Sequence, residues 1–377
     1  MVTENYDVIV LGVGVMGSAA CYQLARRGIR AIGIEQFHLA HDMGSSHGRT
    51  RVIRKAYFED ERYVPLLQAT YDEWREIEAA SEEKLMHLVG CLNVGPADHE
   101  SIRGARHSAE KHKLSFEVLD KSEMAGRWPG LDPSERDVGI FEQEAGYLLP
   151  EQSTLAMARL AESKGCRIVA DQHVLEWSAN DSGVTVKTQR GAYSAAKLII
   201  TAGPWLPGIV ADLGIPLRVE RQVQLWFSPI KPELFTPDRF PAFIHFVANR
   251  GYYGIPSADP PWIKVARHHG GVITTANDVD RRILPSDEAD ARWYMQRHLR
   301  GADGPRMDGK VCLYTNTADD HFIIDRHPRH ANVLIAGGFS GHGFKFAPVV
   351  GRVLSDMATD QKPALPIEMF ALARLRP

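Results

Sequence analysis

The chain has little cysteine. Four residues in 377, Cys21, Cys91, Cys166 and Cys312, stand far apart, with no CxxC and no Cys/His cluster. That spacing argues against a disulfide framework and against structural zinc, and fits a reducing compartment. An excess of either charge is also missing: 44 Lys and Arg against 47 Asp and Glu leave −3. No global basic surface points to nucleic acid or to an anionic membrane. The longest uncharged N-terminal run, Val8 to Leu24, is interrupted by Gly12, Gly14 and Gly17, and falls short of the roughly 18 apolar residues of a membrane span. Glu4 and Asp7 stand where a signal peptide carries positive charge, and the Arg374-Leu375-Arg376-Pro377 end is no peroxisomal address. A cytoplasmic soluble protein is expected. The 44% hydrophobic and 24% charged content is ordinary for a globular chain, and the length predicts about two domains.

What is present begins at the N-terminus. Asp7-Val8-Ile9-Val10-Leu11 reads as a buried parallel strand. Gly12-Val13-Gly14-Val15-Met16-Gly17 follows, then a helix over 18–27 stopped by Gly28, and a second strand over 31–34 ending at Glu35. Gly12 permits a tight turn, Gly14 lets backbone approach a pyrophosphate, and Gly17 lets the helix lie close to the strand. Glu35, 18 residues after Gly17, is placed to accept hydrogen bonds from ribose hydroxyls. Dinucleotide binding is expected; this unit alone leaves FAD and NAD both open.

A basic, glycine-rich segment comes next, Gly44-Ser45-Ser46-His47-Gly48-Arg49-Thr50-Arg51-Val52-Ile53-Arg54-Lys55, with four cations and no acid between Arg49 and Lys55. Small residues let backbone approach a flat ligand, and the cations suit an anion. After a GxGxxG unit, this Gly-Ser-Ser-His-Gly-x-Thr-Arg-x-x-Arg pattern resembles the monomeric sarcosine oxidase and N-methyltryptophan oxidase group of FAD-dependent amine oxidases. The resemblance implies that Ser45, His47 and Arg51 serve the flavin and that Arg54 binds the substrate carboxylate. Arg49 departs from the pattern, standing where an acidic residue is expected.

Downstream, alternating strand and helix signals run to about residue 203. Lys197 to Gly203 is an apolar strand whose Thr201-Ala202-Gly203 end resembles a second cofactor-side motif of FAD-binding folds, and Val174 resembles the position whose backbone meets adenine. From Leu217 to Ala266 the strand candidates dominate and helices are few, which predicts a β-rich second domain inserted into the first. The expected fold is an α/β Rossmann-like FAD-binding domain (1–84, 147–217 and 321–377) with a β-rich α+β substrate domain (85–146 and 218–320).

Taken alone, Lys264 reads as an edge-strand lysine facing solvent, Cys312 as a buried thiol, and His269 as a surface residue. The resemblance reads the first two differently. Lys264 matches a lysine that promotes reaction of reduced flavin with oxygen, and His268 and Tyr253 match active-site residues. The Cys-x-Tyr-Thr-x-Thr-x-Asp-x-His-Phe pattern from Cys312 to Phe322 resembles a covalent flavin site, with Cys312 bonded to the 8α carbon and Tyr314 lining the substrate pocket. Gly337 to Phe346 completes the pattern: Gly341 and Gly343 face the flavin and Lys345 is the second carboxylate partner. The implied enzyme is a monomer that oxidises secondary or N-methyl amino acids such as sarcosine to imines, releases formaldehyde from N-methyl substrates and reduces O2 to hydrogen peroxide. The alternatives are a noncovalent FAD dehydrogenase, a glycine-oxidase-like deaminating oxidase and, from another class, a flavin-binding regulatory protein. Substrate size is expected to depend on loops near 243–249.

Overall fold

Alternation along the first strand, Glu4–Leu11, decides how the first layer is built. Val8 and Val10 point into a core shared with four helices, and Ile9 and Leu11 into a second core on the opposite face. Such a strand is stable only between neighbours, and it lies parallel to Ala31–Ile34 on one side and Gly191–Ile200 on the other. The computed structural model describes residues 4–257 and 261–375; Pro260 and the terminal Arg376 and Pro377 lie outside them. Arg167–Val169 and His330–Gly337 extend the parallel sheet outward. An antiparallel hairpin, Val174–Asn180 and Gly183–Thr188, grows from the first half of the Gly191–Ile200 strand, and Ile323–His327 closes the far edge. The helices Val15–Arg26, Val64–Ser81, Pro150–Ser163 and Ala347–Ala358 cover one face.

The first helix starts at Val15, three residues earlier than the sequence predicts, so Gly17 lies inside it. The Ser18 amide donates to the Gly14 carbonyl (2.9 Å) and closes the first turn around Gly17, where a Cβ would collide with the carbonyl oxygen of Gly12. Gly28, at φ +70°, ends the helix in the left-handed region as expected.

The second sheet has nine strands. Its order is Ile273–Thr274, Arg218–Phe227, Ile263–His268, Arg250–Pro256, Ala242–Val247, Cys91–Pro96, Asp137–Glu142 and Glu117–Leu119, with Arg306–Asn316 also paired to Arg218–Phe227. One face packs Leu225, Phe243, Tyr252 and Val265 against the helix Pro285–His298. That helix is absent from the sequence reading because its apolar stripe is narrow: only Ala291, Tyr294, Met295 and His298 are buried. Of the segment 243–249, residues 243–246 lie in the strand Ala242–Val247, as the strand signal there predicts, which leaves only the end of the segment as loop. A three-stranded ribbon, Arg51–Ile53, Gly146–Leu148 and Met86–His87, carries the basic segment between the sheets. No helix among the described residues is long and apolar enough to cross a membrane.

Candidate active site

The carboxyl ends of the parallel strands open onto a cleft of about 1340 Å³, part of it open to solvent. Ligands of open α/β sheets bind at such an edge. Gly12, Gly14, Glu35, Val174 and Ser45 line it, and so do Cys312, Gly341 and Gly343. Gly17 does not; its part is the packing just described. Gly14 caps the first helix without a side-chain hydrogen bond, no acid occupies the first turn and Ser46 Oγ accepts from the Val15 amide (3.1 Å), so the positive helix end faces the cleft. The buried Glu35 carboxylate accepts from the amides of Val13 (2.8 Å) and Phe37 (3.1 Å). These features fit a dinucleotide with its pyrophosphate at the helix end and a ribose at Glu35.

Register in the second sheet explains how distant residues meet. Cys312 and Tyr314 lie opposite Gln222 and Glu220 in the Arg306–Asn316 and Arg218–Phe227 pair. Gln224 lies opposite Ala266, which shares its face with Lys264 and His268; Ala266 lies opposite Tyr253, and Tyr253 opposite Ile244. Period-two alternation therefore turns Ile244, Tyr253, Lys264, His268, Cys312 and Tyr314 toward one face, opposite the apolar core. Over that face lies a second cavity of about 670 Å³, part of it open to solvent, lined by Arg54, Ile244, Tyr253, His268, Tyr314 and Lys345 among others. Arg51, Tyr314, Gly341 and Phe344 line both cavities, which thus adjoin. Gly341 is required at that junction: it sits at φ +77°, and a Cβ there would strike the Tyr314 ring.

Three cations line the two cavities and a fourth, Lys264, lies behind them. Arg51 donates to the carbonyl of Ser45 (3.0 Å), to Oε1 of Gln224 (3.1 Å) and to Sγ of Cys312 (3.5 Å). Arg54 is buried between the Tyr57 and Phe58 rings and donates to both carboxylate oxygens of Glu59 (2.8 and 2.9 Å). Burial pushes the Glu59 carboxyl upward, but Arg54, His342 and Lys345 together hold it below its ordinary value. Lys345 is pushed down to about 7, by burial first and by Arg54 second.

Lys264 is only 1% exposed, on a strand paired along both edges, so the solvent-facing reading fails. Its ammonium donates to the carbonyls of Gly48 (3.0 Å) and Thr50 (2.8 Å) and lines neither cavity. Burial, then Arg51, pushes its pKa well below the ordinary lysine value.

His47 also lines neither cavity. Both its ring nitrogens are buried, and burial, then Arg51, pushes its pKa down to about 3. His268 hydrogen-bonds Tyr314 Oη through Nδ1 (3.2 Å), and burial, followed by His269, depresses its pKa.

Several neighbours escaped the sequence reading. Glu151, at the start of the Pro150–Ser163 helix, accepts from the amides of Gly48 (2.6 Å) and Arg49, holding from one side the turn that Lys264 holds from the other. The acid after Pro150 was the available signal. His269 is no bland surface residue: it pairs with buried Glu220 (3.2 Å) and packs on His268 and Tyr314. Arg49, the departure from pattern, turns away from both cavities. It lies between the Trp226 and Trp262 rings and pairs with Asp308 (2.5 Å).

The whole chain, and not only these motifs, compares with known proteins. The profile described as "DAO: FAD dependent oxidoreductase" matches residues 7–357. Monomeric sarcosine oxidase of Streptomyces avermitilis is 39% identical over 99% of this chain and 98% of its own. N-methyl-L-tryptophan oxidase of Salmonella newport is 36% identical over 98% and 99%. In fold, the chain matches the open form of NikD, an unusual amino acid oxidase essential for nikkomycin biosynthesis, with a TM-score of 0.88 at 22% identity over 98% of this chain and 98% of that one. Glycine oxidase from Geobacillus kaustophilus matches at a TM-score of 0.82 and 18% identity, over 100% of both chains. A Rossmann-like FAD-binding domain joined to a β-rich substrate domain thus defines an FAD-dependent oxidoreductase. Within that class the chain belongs to the monomeric sarcosine oxidase and N-methyltryptophan oxidase family.

Proposed function

We propose that this enzyme oxidises the C–N bond of N-methyl amino acids such as sarcosine, using O2 and water and yielding the demethylated amine, formaldehyde and hydrogen peroxide. The observation that carries this reading is the pair of buried cations, Arg54 and Lys345, lining a cavity that adjoins the dinucleotide cleft. Bound FAD would supply hydride acceptance from the substrate carbon and electron transfer to oxygen. The protein's part is to hold and orient. Arg54, released from Glu59, and Lys345 take the substrate carboxylate. Tyr253, His268 and Tyr314 flank the amine, with the neutral His268 ring serving as a hydrogen-bonding wall. Lys264 supplies positive charge to oxygen chemistry from behind the Gly48–Thr50 turn. Ile244 limits the size of the group that enters.

The names of the relatives support a single-chain enzyme. The division into 1–84, 147–217 and 321–377 for the cofactor and 85–146 and 218–320 for the substrate is supported by the segments that build each sheet. Cys312, on the cleft wall beside Arg51, is the residue that holds the flavin covalently. Yellow colour is therefore expected to stay with acid-precipitated protein and to move to the supernatant in Cys312→Ala. Colour released from the wild type contradicts the covalent link. The reaction itself is tested by a peroxide-coupled panel of N-substituted amino acids: secondary amines with a carboxylate are expected to react, and esters or decarboxylated analogues to lose most activity.

A further inference from the structure

The segment after the glycine-rich turn contains a hydrogen-bonded chain that the reaction scheme above leaves unused. Lys345 Nζ donates to the carbonyl of His342 (2.6 Å) and to Tyr57 Oη (3.3 Å). Tyr57 Oη lies 2.6 Å from His342 Nδ1, and His342 Nε2 lies 3.0 Å from the carbonyl oxygen of Asp320.

Tyr57 Oη also lies 3.3 Å from the His342 carbonyl, but the 2.6 Å contact to Nδ1 is much the shorter and sets the donors. A carbonyl only accepts, so His342 Nε2 carries a hydrogen, and in a neutral ring Nδ1 then offers a lone pair. Burial keeps His342 neutral, with its pKa pushed down to about 4, and pushes the Tyr57 phenol well above its ordinary value. The Tyr57 hydroxyl must therefore donate to Nδ1, and its oxygen accepts from Lys345. Two of the three ammonium hydrogens are committed in this way. The third is left for the cavity that Lys345 lines. The same Tyr57 ring packs 4.4 Å from the Arg54 guanidinium and 5.0 Å from Lys345 Nζ, so one side chain registers both cations. The far end is equally fixed: Asp320 is held in the left-handed region at φ +57°.

We infer that Tyr57 and His342 are positioning residues: the relay from Lys345 through Tyr57 and His342 to the Asp320 carbonyl aims the Lys345 ammonium at the substrate carboxylate. The inference rests on the carboxylate-clamp reading above. Neither residue is a catalytic residue; both act through Lys345.

The test uses the holoenzyme and (methylthio)acetate, the thioether analogue of N-methylglycine, which keeps the carboxylate and has no amine to oxidise. Binding is followed by calorimetry and by the flavin absorption band. Tyr57→Phe removes one hydroxyl and keeps the ring, and His342→Leu removes both hydrogen-bonding atoms. Each is expected to weaken thioether binding about threefold to tenfold. The limiting rate of flavin reduction at saturating sarcosine should stay within about twofold of wild type, because the interaction serves binding. His342→Gln, whose amide can both accept from Tyr57 and donate to Asp320, should restore most of the affinity. Wild-type affinity in both Tyr57→Phe and His342→Leu overturns the inference, as does His342→Gln binding as weakly as His342→Leu. A wild type blind to the thioether overturns the clamp itself, and the relay with it.

Discussion

Lys264→Met is expected to slow the oxygen half-reaction by ~100-fold or more, the usual scale for removing one preorganised charge partner, and to change flavin reduction by substrate far less. The asymmetry follows from position. Lys264 lines neither cavity, so the bound amine does not meet it. Two carbonyls at 3.0 and 2.8 Å favour its charged form against the burial that lowers its pKa, in a site only 1% exposed where a positive charge is weakly screened. Negative charge developing on oxygen is what such a cation stabilises. The substitution also leaves the Gly48 and Thr50 carbonyls without their donor, each costing about 1–3 kcal/mol, so a lower Tm is expected as well. The decisive comparison is therefore internal to the variant: stopped-flow reduction under nitrogen against reoxidation by oxygen. Equal slowing of both contradicts the oxygen-site role.

Lys345→Ala is expected to weaken binding of (methylthio)acetate about tenfold to a hundredfold, the worth of one charge-assisted hydrogen bond of about 1.5–3 kcal/mol. A pH signature accompanies it. The Lys345 pKa lies at about 7 in the free site, and the ammonium is the form that binds an anion. Affinity should thus be full below about pH 7 and fall as pH rises above it, levelling off where Arg54 alone remains. The thioether has no amine, so its own titration does not interfere. In Lys345→Ala the fall above pH 7 should vanish. Unchanged affinity in the variant, or an unchanged pH profile, contradicts the clamp.

Contiguous features were legible in the sequence. The Glu4–Leu11 strand, Gly12 to Gly17, the helix and Glu35 form one unbroken stretch, and each glycine's mechanical reason is local. The helix start was misplaced by three residues because only the folded backbone shows the Ser18 amide closing the first turn around Gly17. The site was legible in a different way. Arg51, Arg54, Lys264, Cys312 and Lys345 were identified by pattern, but their meeting depends on strand register, which places Tyr253, Lys264, His268 and Cys312 on one face of a sheet. No local property of the chain states that register. The partners Glu59, Glu151, Glu220, Tyr57 and His342 were missed because a buried acid or phenol takes its meaning from the group it faces. Arg49 shows the same limit: it stands where the pattern expects an acid, and only the structure shows its side chain between Trp226 and Trp262 and paired with Asp308.

The central claim is tested most directly by stoichiometry with sarcosine under air. The account predicts one formaldehyde and one hydrogen peroxide for each O2 consumed, with glycine as the remaining product. Formaldehyde without peroxide would make the protein a dehydrogenase. Peroxide with methylamine and glyoxylate in place of formaldehyde and glycine would mean that the other C–N bond is oxidised, and either result contradicts the account.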